Sequence, residues 1–176
     1  LCGGRGKRMG KFTLKTPKPL IKVGKSPILK HKINYYKSQG FKKLTFCIGY
    51  KANIMKKFLK KNFQKPHFSN AGINSGILKR IYYALKNYNE TCIISYGDTL
   101  AKINLNDLLK KHNKSNSLMT LVIAPIKNPF GIVKWNLKNK LTSFHEKPIL
   151  NHFIGYAVIE PKIFKLLSKK IINSKD

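Results

Sequence analysis

Apolar and polar positions alternate along this chain in blocks whose period switches between that of helices and that of strands. After Ser26 and Pro27, apolar residues recur at Ile28, Leu29, Ile33 and Tyr36. That spacing predicts a helix capped by Ser26, opened by Pro27 and stopped at Gly40. Leu44–Ile48 is a short apolar run ending at Gly49 and predicts a strand. Ile54, Met55, Phe58 and Leu59, followed by Phe63, return to helical spacing, and the pattern breaks around Pro66. Ile77, Leu78, Ile81, Tyr82 and Leu85 predict another amphipathic helix. Cys92–Tyr96 is apolar but for Ser95, as in a parallel strand covered on both faces. Leu105, Leu108 and Leu109 mark a further helix, and Leu118–Ala124 a further strand.

The pattern changes near Pro125. Gly131–Trp135 and Leu141–His145 flank a polar stretch and predict a β-hairpin, with Trp135 in the core. Phe153–Ile159 reads as a strand, and Pro161 opens a last helix. The alternation gives an α/β fold with helices on both faces of a sheet. A single domain is expected over residues 1–176, and both ends look cut, since residue 1 is Leu and a glycine loop begins at Gly3.

Composition narrows the classes. With 42% hydrophobic residues, the 176-residue chain can bury about two-thirds of its unfolded surface, which excludes a disordered tail. No apolar run approaches the ~20 residues of a membrane span, and no secretory leader is recognisable. Lys and Arg number 36 against 6 Asp and Glu, a formal charge of +30. Three of the 36 are arginines, and the other 33 accompany 16 Asn and 20 Ile, residues that share A/T-rich codons. Base composition therefore accounts for the charge without a nucleic-acid partner. An RNA-binding domain, the rival from another class, would need aromatics interleaved with Arg on one sheet face; here the aromatics follow core spacing. Cys2, Cys47 and Cys92 show no metal or disulfide spacing and read as reduced thiols of a cytoplasmic protein. His31, His67, His112, His145 and His152 form no ligand set and are expected at the surface.

Three stretches can carry chemistry. Gly3-Gly4-Arg5-Gly6-Lys7-Arg8, followed by Thr16-Pro17-Lys18-Pro19-Leu20, can aim backbone N–H groups and the Arg8 and Lys18 cations at a phosphate, or form a flexible basic turn. It matches neither a Walker loop nor the dinucleotide fingerprint, because Arg8 and Met9 stand where those motifs need Ser/Thr and Gly. Asp98, directly after an apolar strand, lies where ligands of open α/β sheets bind; it suits Mg²⁺ facing phosphates, or a cap or turn. Glu146 and Lys147 can meet a sugar hydroxyl and a phosphate, or pair with each other in solvent.

Taken together, these stretches resemble the sugar nucleotidyltransferases, which carry a G-G-x-G-T-R loop, P-K-P-L, G-D closing a central strand and a later E-K-P. The order is the same here, and the resemblance covers essentially the whole chain. It implies a Rossmann-like, mixed and mostly parallel sheet. Residues 1–124 would be the nucleotide-binding part, and 125–176 part of a sugar-binding region that includes the hairpin. Pro27-Ile28-Leu29, the run Lys43–Lys51, Leu78–Ile81 and Ser95–Asp98 look most like the glucose-1-phosphate cytidylyltransferase subgroup.

The reaction so implied joins an NTP, CTP in that subgroup, to a sugar-1-phosphate, giving an NDP-sugar of CDP-glucose type and pyrophosphate. Arg8 and Lys18 would be catalytic and Asp98 the Mg²⁺ ligand. Gly3, Gly4, Gly6, Asn74, Ser75 and Gly76 would bind nucleotide, and Gly131, Glu146, Lys147 and Gly155 sugar phosphate. Lys7 replaces the family's Thr, Asn74–Ile77 replaces T-G-G-R, Phe153 stands where Asn often does, and the family's second metal-binding Asp lies beyond residue 176. These departures keep a non-catalytic relative that binds nucleotide or sugar phosphate as the alternative. Base, sugar and any homo-oligomer stay open at this point.

Overall fold

The computed structural model describes residues 1–174. Helices are α1 (Phe12–Lys15), α2 (Ile28–Ser38), α3 (Ala52–Asn62), α4 (Ile77–Leu85), α5 (Leu105–Ser115) and α6 (Lys169–Ile172). Strands are β1 (Lys22–Val23), β2 (Ser26–Pro27), β3 (Thr45–Ile48), β4 (His67–Asn70), β5 (Cys92–Ser95), β6 (Met119–Lys127), β7 (Ile132–Trp135), β8 (Leu141–His145) and β9 (Ile149–Ile159).

β3 pairs in parallel with β4, and β9 lies antiparallel between β5 and β6. Residues 1–3 bridge the two groups. Leu1 N donates to Ser95 O while Gly97 N donates to Leu1 O, and Cys2 N donates to Cys47 O while Tyr50 N donates to Gly3 O. Both pairs advance in the same chain direction, so the bridge is parallel to β3 and to β5. The resulting order is β4, β3, residues 1–3, β5, β9, β6, with β9 alone reversed. This is the mixed, mostly parallel sheet that was expected, although β5 meets an antiparallel neighbour at β9.

Helices cover both faces. Leu29 and Ile33 of α2 and Met55 and Leu59 of α3 pack on Phe46 and Ile48. Along β9, Tyr156 and Val158 turn toward α5, whereas Ile159 turns toward Leu85 of α4 and Phe164. Each such side chain contributes about 1.5–3 kcal/mol when buried.

Several local expectations are corrected. Pro27, not Ser26, occupies the cap position of α2 with no side-chain cap, because Ser26 pairs with Val23 in the β1–β2 ribbon. The break around Pro66 contains a strand, β4, held by its parallel pairing to β3 and by Phe68 against Phe46. Pro161 opens a 3-10 turn, Pro161–Leu166. Trp135 is 66% exposed on the β7–β8 hairpin rather than in the core. His112 is buried, bonding Thr120 Oγ1 at 2.8 Å and Glu160 Oε1 at 3.1 Å. The Thr91 hydroxyl and then His112 hold the Glu160 carboxyl below its usual range.

α2 also buries Lys32, whose Nζ donates to Thr99 O at 2.8 Å and lies 4.0 Å from the Tyr156 ring centroid. Burial lowers its pKa from 10.5 to about 8, against the opposing pull of Cys2 and Asp98. Between about 8 and 10.5 the folded chain has lost a proton that the unfolded chain keeps, so stability rises with pH in that window. Burial raises the Cys47 and Cys92 thiols above 9.0 and opposes this above that pH. The urea midpoint is therefore expected to rise from roughly pH 7.5 to 9 and to flatten or fall beyond. A midpoint that is flat or falling between pH 8 and 9 would refute the assignment.

Candidate active site

The glycine loop is shaped by three different requirements. Gly6 sits at φ +64°, a left-handed position that costs other residues strain, and Thr13 braces it by donating Oγ1 to Gly6 O at 3.2 Å and Gly10 O at 3.1 Å. Gly4 has open space where a Cβ would be, leaving room for a ligand to approach the backbone. A Cβ on Gly3 would collide with the Arg80 guanidinium.

Across from the loop, Asp98 follows β5. The Thr99 carbonyl accepts from both Lys32 Nζ and Tyr156 OH, at 2.8 and 3.2 Å, which fixes the turn carrying Asp98. Loop and turn face one cavity of about 540 Å³. Gly3, Gly4, Arg5, Gly6, Arg8 and Met9 line it from the loop, with Lys18 and Pro19 following; Ile73–Ile77 and Arg80 close a second side, and Tyr96 and Asp98 a third. Four cations against one carboxylate give the lining a net positive charge, which suits a polyanion.

Lys18 Nζ lies 2.6 Å from Asp98 Oδ2, so a cation already rests on this carboxylate. The donor chemistry fits Mg²⁺, a hard ion commonly held by one or two carboxylates together with substrate phosphates. Among the described residues no group of three or more His, Cys, Asp or Glu could hold a metal alone.

All the residues expected to bind nucleotide or its metal thus come together: Gly3, Gly4, Gly6, Arg8, Lys18, Asn74, Ser75, Gly76 and Asp98. The residues expected to bind sugar phosphate do not line this cavity. Glu146 and Lys147, more than half exposed, pair with each other at 3.4 Å. A Cβ on Gly131 would lie 3.3 Å from Glu146 Oε2, which places those two side by side on the hairpin side. Gly155 lies behind the Tyr96 ring, in contact with the cavity wall. Lys147 has φ +45° directly before Pro148, a strained backbone of the kind that gathers at ligand sites. Sequence reading missed Thr13 and Lys32, which look like ordinary polar positions, and gave Arg80 no structural role.

A sequence model of the nucleotidyl transferase family matches residues 1–173. The chain belongs to this family. The resemblance drawn from the motifs holds. A probable glucose-1-phosphate cytidylyltransferase of Bacillus subtilis is 29% identical over 197 residues, covering 96% of this chain and 76% of the relative. A D-glycero-alpha-D-manno-heptose 1-phosphate guanylyltransferase of Campylobacter jejuni is 29% identical over 175 residues, covering 98% and 76%. Among solved structures, HddC from Yersinia pseudotuberculosis superimposes with a TM-score of 0.74 at 19% identity, covering 99% of this chain and 80% of that one. This last likeness establishes the shared fold.

Proposed function

We propose that the nucleotidyl transfer takes an NTP and a sugar-1-phosphate to an NDP-sugar and pyrophosphate, with CTP and glucose-1-phosphate as the first pair to test. The observation that carries the reading is the shared cavity of Arg8, Lys18, Asp98 and the glycine loop. Relatives named for cytidylyl and guanylyl transfer to sugar-1-phosphates support it. The core spacing expected of the aromatics fails at Phe12, Phe130, Trp135 and Phe144, which are exposed, but the three arginines that an RNA platform would interleave with them all line this cavity instead.

A phosphate oxygen of the sugar-1-phosphate attacks the α-phosphorus. The α–β bridging bond breaks, and pyrophosphate leaves with its electron pair. The attacking group is already anionic, so no protein nucleophile or base is required, and catalysis comes from alignment and charge. Arg8 meets the departing pyrophosphate, and Lys18 exchanges Asp98 for the α-phosphate. Asp98 would hold Mg²⁺, which when bound neutralises the phosphates. Asn74, Ser75 and Gly76 read the base from the turn before α4. Gly131, Glu146, Lys147 and Gly155 take the sugar and its phosphate, so residues 1–124 serve the nucleotide and 125–176 the sugar. The three cysteines are free, two of them buried, which suits a reducing cytoplasm. No helix among the described residues is long and apolar enough to cross a membrane.

Arg8→Ala is expected to lower kcat by about 10²-fold with the circular dichroism spectrum unchanged, because Arg8 is exposed. The reading itself is tested by incubating each of the four NTPs with a panel of sugar-1-phosphates and Mg²⁺ while following pyrophosphate release. Release that requires both substrates supports it, and none with any pair overturns it.

A further inference from the structure

We infer that Arg80 is a positioning residue that locks the base-reading turn to the phosphate loop and thereby sets nucleotide selectivity. The inference rests on the nucleotidyl-transfer reading for its substrates and for the base-reading role of the Asn74–Gly76 turn.

Arg80 lies on α4 and is 6% exposed. Its planar fork spends one donor on each of three carbonyls from two segments. Nε donates to Ser75 O at 3.0 Å, Nη2 to Ile73 O at 3.2 Å and Nη1 to Ile48 O at 3.3 Å. Two of these carbonyls flank Asn74 in the turn, and the third ends β3. The guanidinium also fills the space where Gly3 and Gly49 would carry a Cβ. Gly3 in turn accepts from Tyr50 N at 3.0 Å, so β3, the phosphate loop and the turn meet at one side chain. At the cavity rim a second tie repeats the connection, with Arg5 Nη2 donating to Asn74 Oδ1 at 3.2 Å. The geometry explains why glycine stands at positions 3 and 49, where no positive φ demands it.

Among the described residues, 71–76 belong to no helix or strand, so the turn is positioned by side-chain ties such as these. Lysine keeps the charge at position 80 but has no fixed fork, and cannot hold three carbonyls in one plane. Losing the lock should move the turn relative to the phosphates, while the sugar-phosphate residues on the hairpin side keep their places.

Arg80→Met and Arg80→Lys test this in the full chain. The readouts are separate KM values for NTP and sugar-1-phosphate, the ratio of kcat/KM among the four NTPs, and the thermal shift produced by each NTP with Mg²⁺. In Arg80→Met, KM for NTP is expected to rise about tenfold and NTP discrimination to collapse by at least about fivefold, with KM for the sugar phosphate within about twofold. Arg80→Lys should recover less than about a third of the lost discrimination. If Arg80→Met does not fold, the folded Arg80→Lys variant decides by the same readouts. Unchanged NTP selectivity, or equal rises in both KM values, overturns the inference. Should wild type form no NDP-sugar, the proposed function fails, yet the thermal shifts still decide here. A wild-type shift that differs among NTPs and is levelled in the variants supports the lock. Identical shifts in wild type and variant, or no shift with any NTP, overturn it.

Discussion

Asp98→Asn is expected to leave the protein folded and to lower NDP-sugar formation by at least about 10²-fold. The substitution keeps the size of the side chain and its place after β5, and removes only the charge. In the folded protein that charge pairs with Lys18 at 2.6 Å, with the two side chains 22% and 34% exposed. A partly exposed ion pair of this kind contributes about 1 kcal/mol, so the thermal midpoint should move by only a few degrees. The backbone of the turn stays in place, because Lys32 and Tyr156 hydrogen-bond the Thr99 carbonyl directly and not through the Asp98 side chain. The loss should therefore appear in kcat, and additional Mg²⁺ should restore little of it. Asp107 in the first turn of α5 supplies the comparison: it is exposed and does not line the cavity, and Asp107→Asn should keep wild-type turnover. If Asp98→Asn retains turnover within about threefold of wild type, Asp98 is no metal ligand and the catalytic arrangement proposed above is wrong.

The parts of this fold that could be read beforehand are those where burial and residue type agree. In α3, Met55 and Leu59 are apolar, four residues apart and fully buried, so period and packing carry the same information. In α2 they diverge. Lys32 is buried between Leu29 and Ile33, but among 33 lysines nothing marks the one whose stem and amine are enclosed. β4 was hidden for a related reason. His67-Phe68-Ser69-Asn70 shows no strand alternation, and the strand exists because the edge of β3 offers a parallel partner and Phe46 a surface for Phe68. His112 illustrates the converse, a residue placed at the surface by its type and drawn inward by partners 8 and 48 positions away.

The candidate site divides along the same line. The glycine loop and Asp98 could be read because each follows a strand-like segment, and strand ends gather at one edge of a sheet, whereas Lys18, in a 3-10 turn after α1, was legible only through the Pro-Lys-Pro-Leu motif. The supporting residues could not. Thr13, Lys32 and Arg80 act through bonds to carbonyl groups, and a carbonyl leaves no mark in the sequence. Trp135 and the exposed Phe144 belong to a hairpin whose strands pair only with each other, so their apolar character predicted a core that the described residues do not supply.

Replacing Gly155 by alanine should carry the largest cost in stability. This residue is buried in β9 at φ +77°, and its would-be Cβ points at the Tyr96 ring, 2.5 Å from Cδ2. Two costs add. Left-handed backbone disfavours alanine by about 1–2 kcal/mol, and forcing a methyl group into a packed sheet adds about 1–3 kcal/mol. The expected destabilisation is thus about 2–5 kcal/mol in urea unfolding, a large share of the stability of a domain of this size. Gly24→Ala separates the two terms, since Gly24 has φ +62° in the exposed β1–β2 turn with nothing within 4 Å of a Cβ, and should show only the first. The excess at position 155 measures the push on Tyr96. That push reaches the nucleotide, because Tyr96 lines the cavity and its ring also packs edge-on against Phe153 at 5.8 Å, on the strand that carries Gly155. Folded Gly155→Ala should accordingly bind NTP more weakly than Gly24→Ala does. Equal costs at the two positions would mean that Tyr96 yields freely, and that the wall between the nucleotide cavity and β9 is softer than its packing implies.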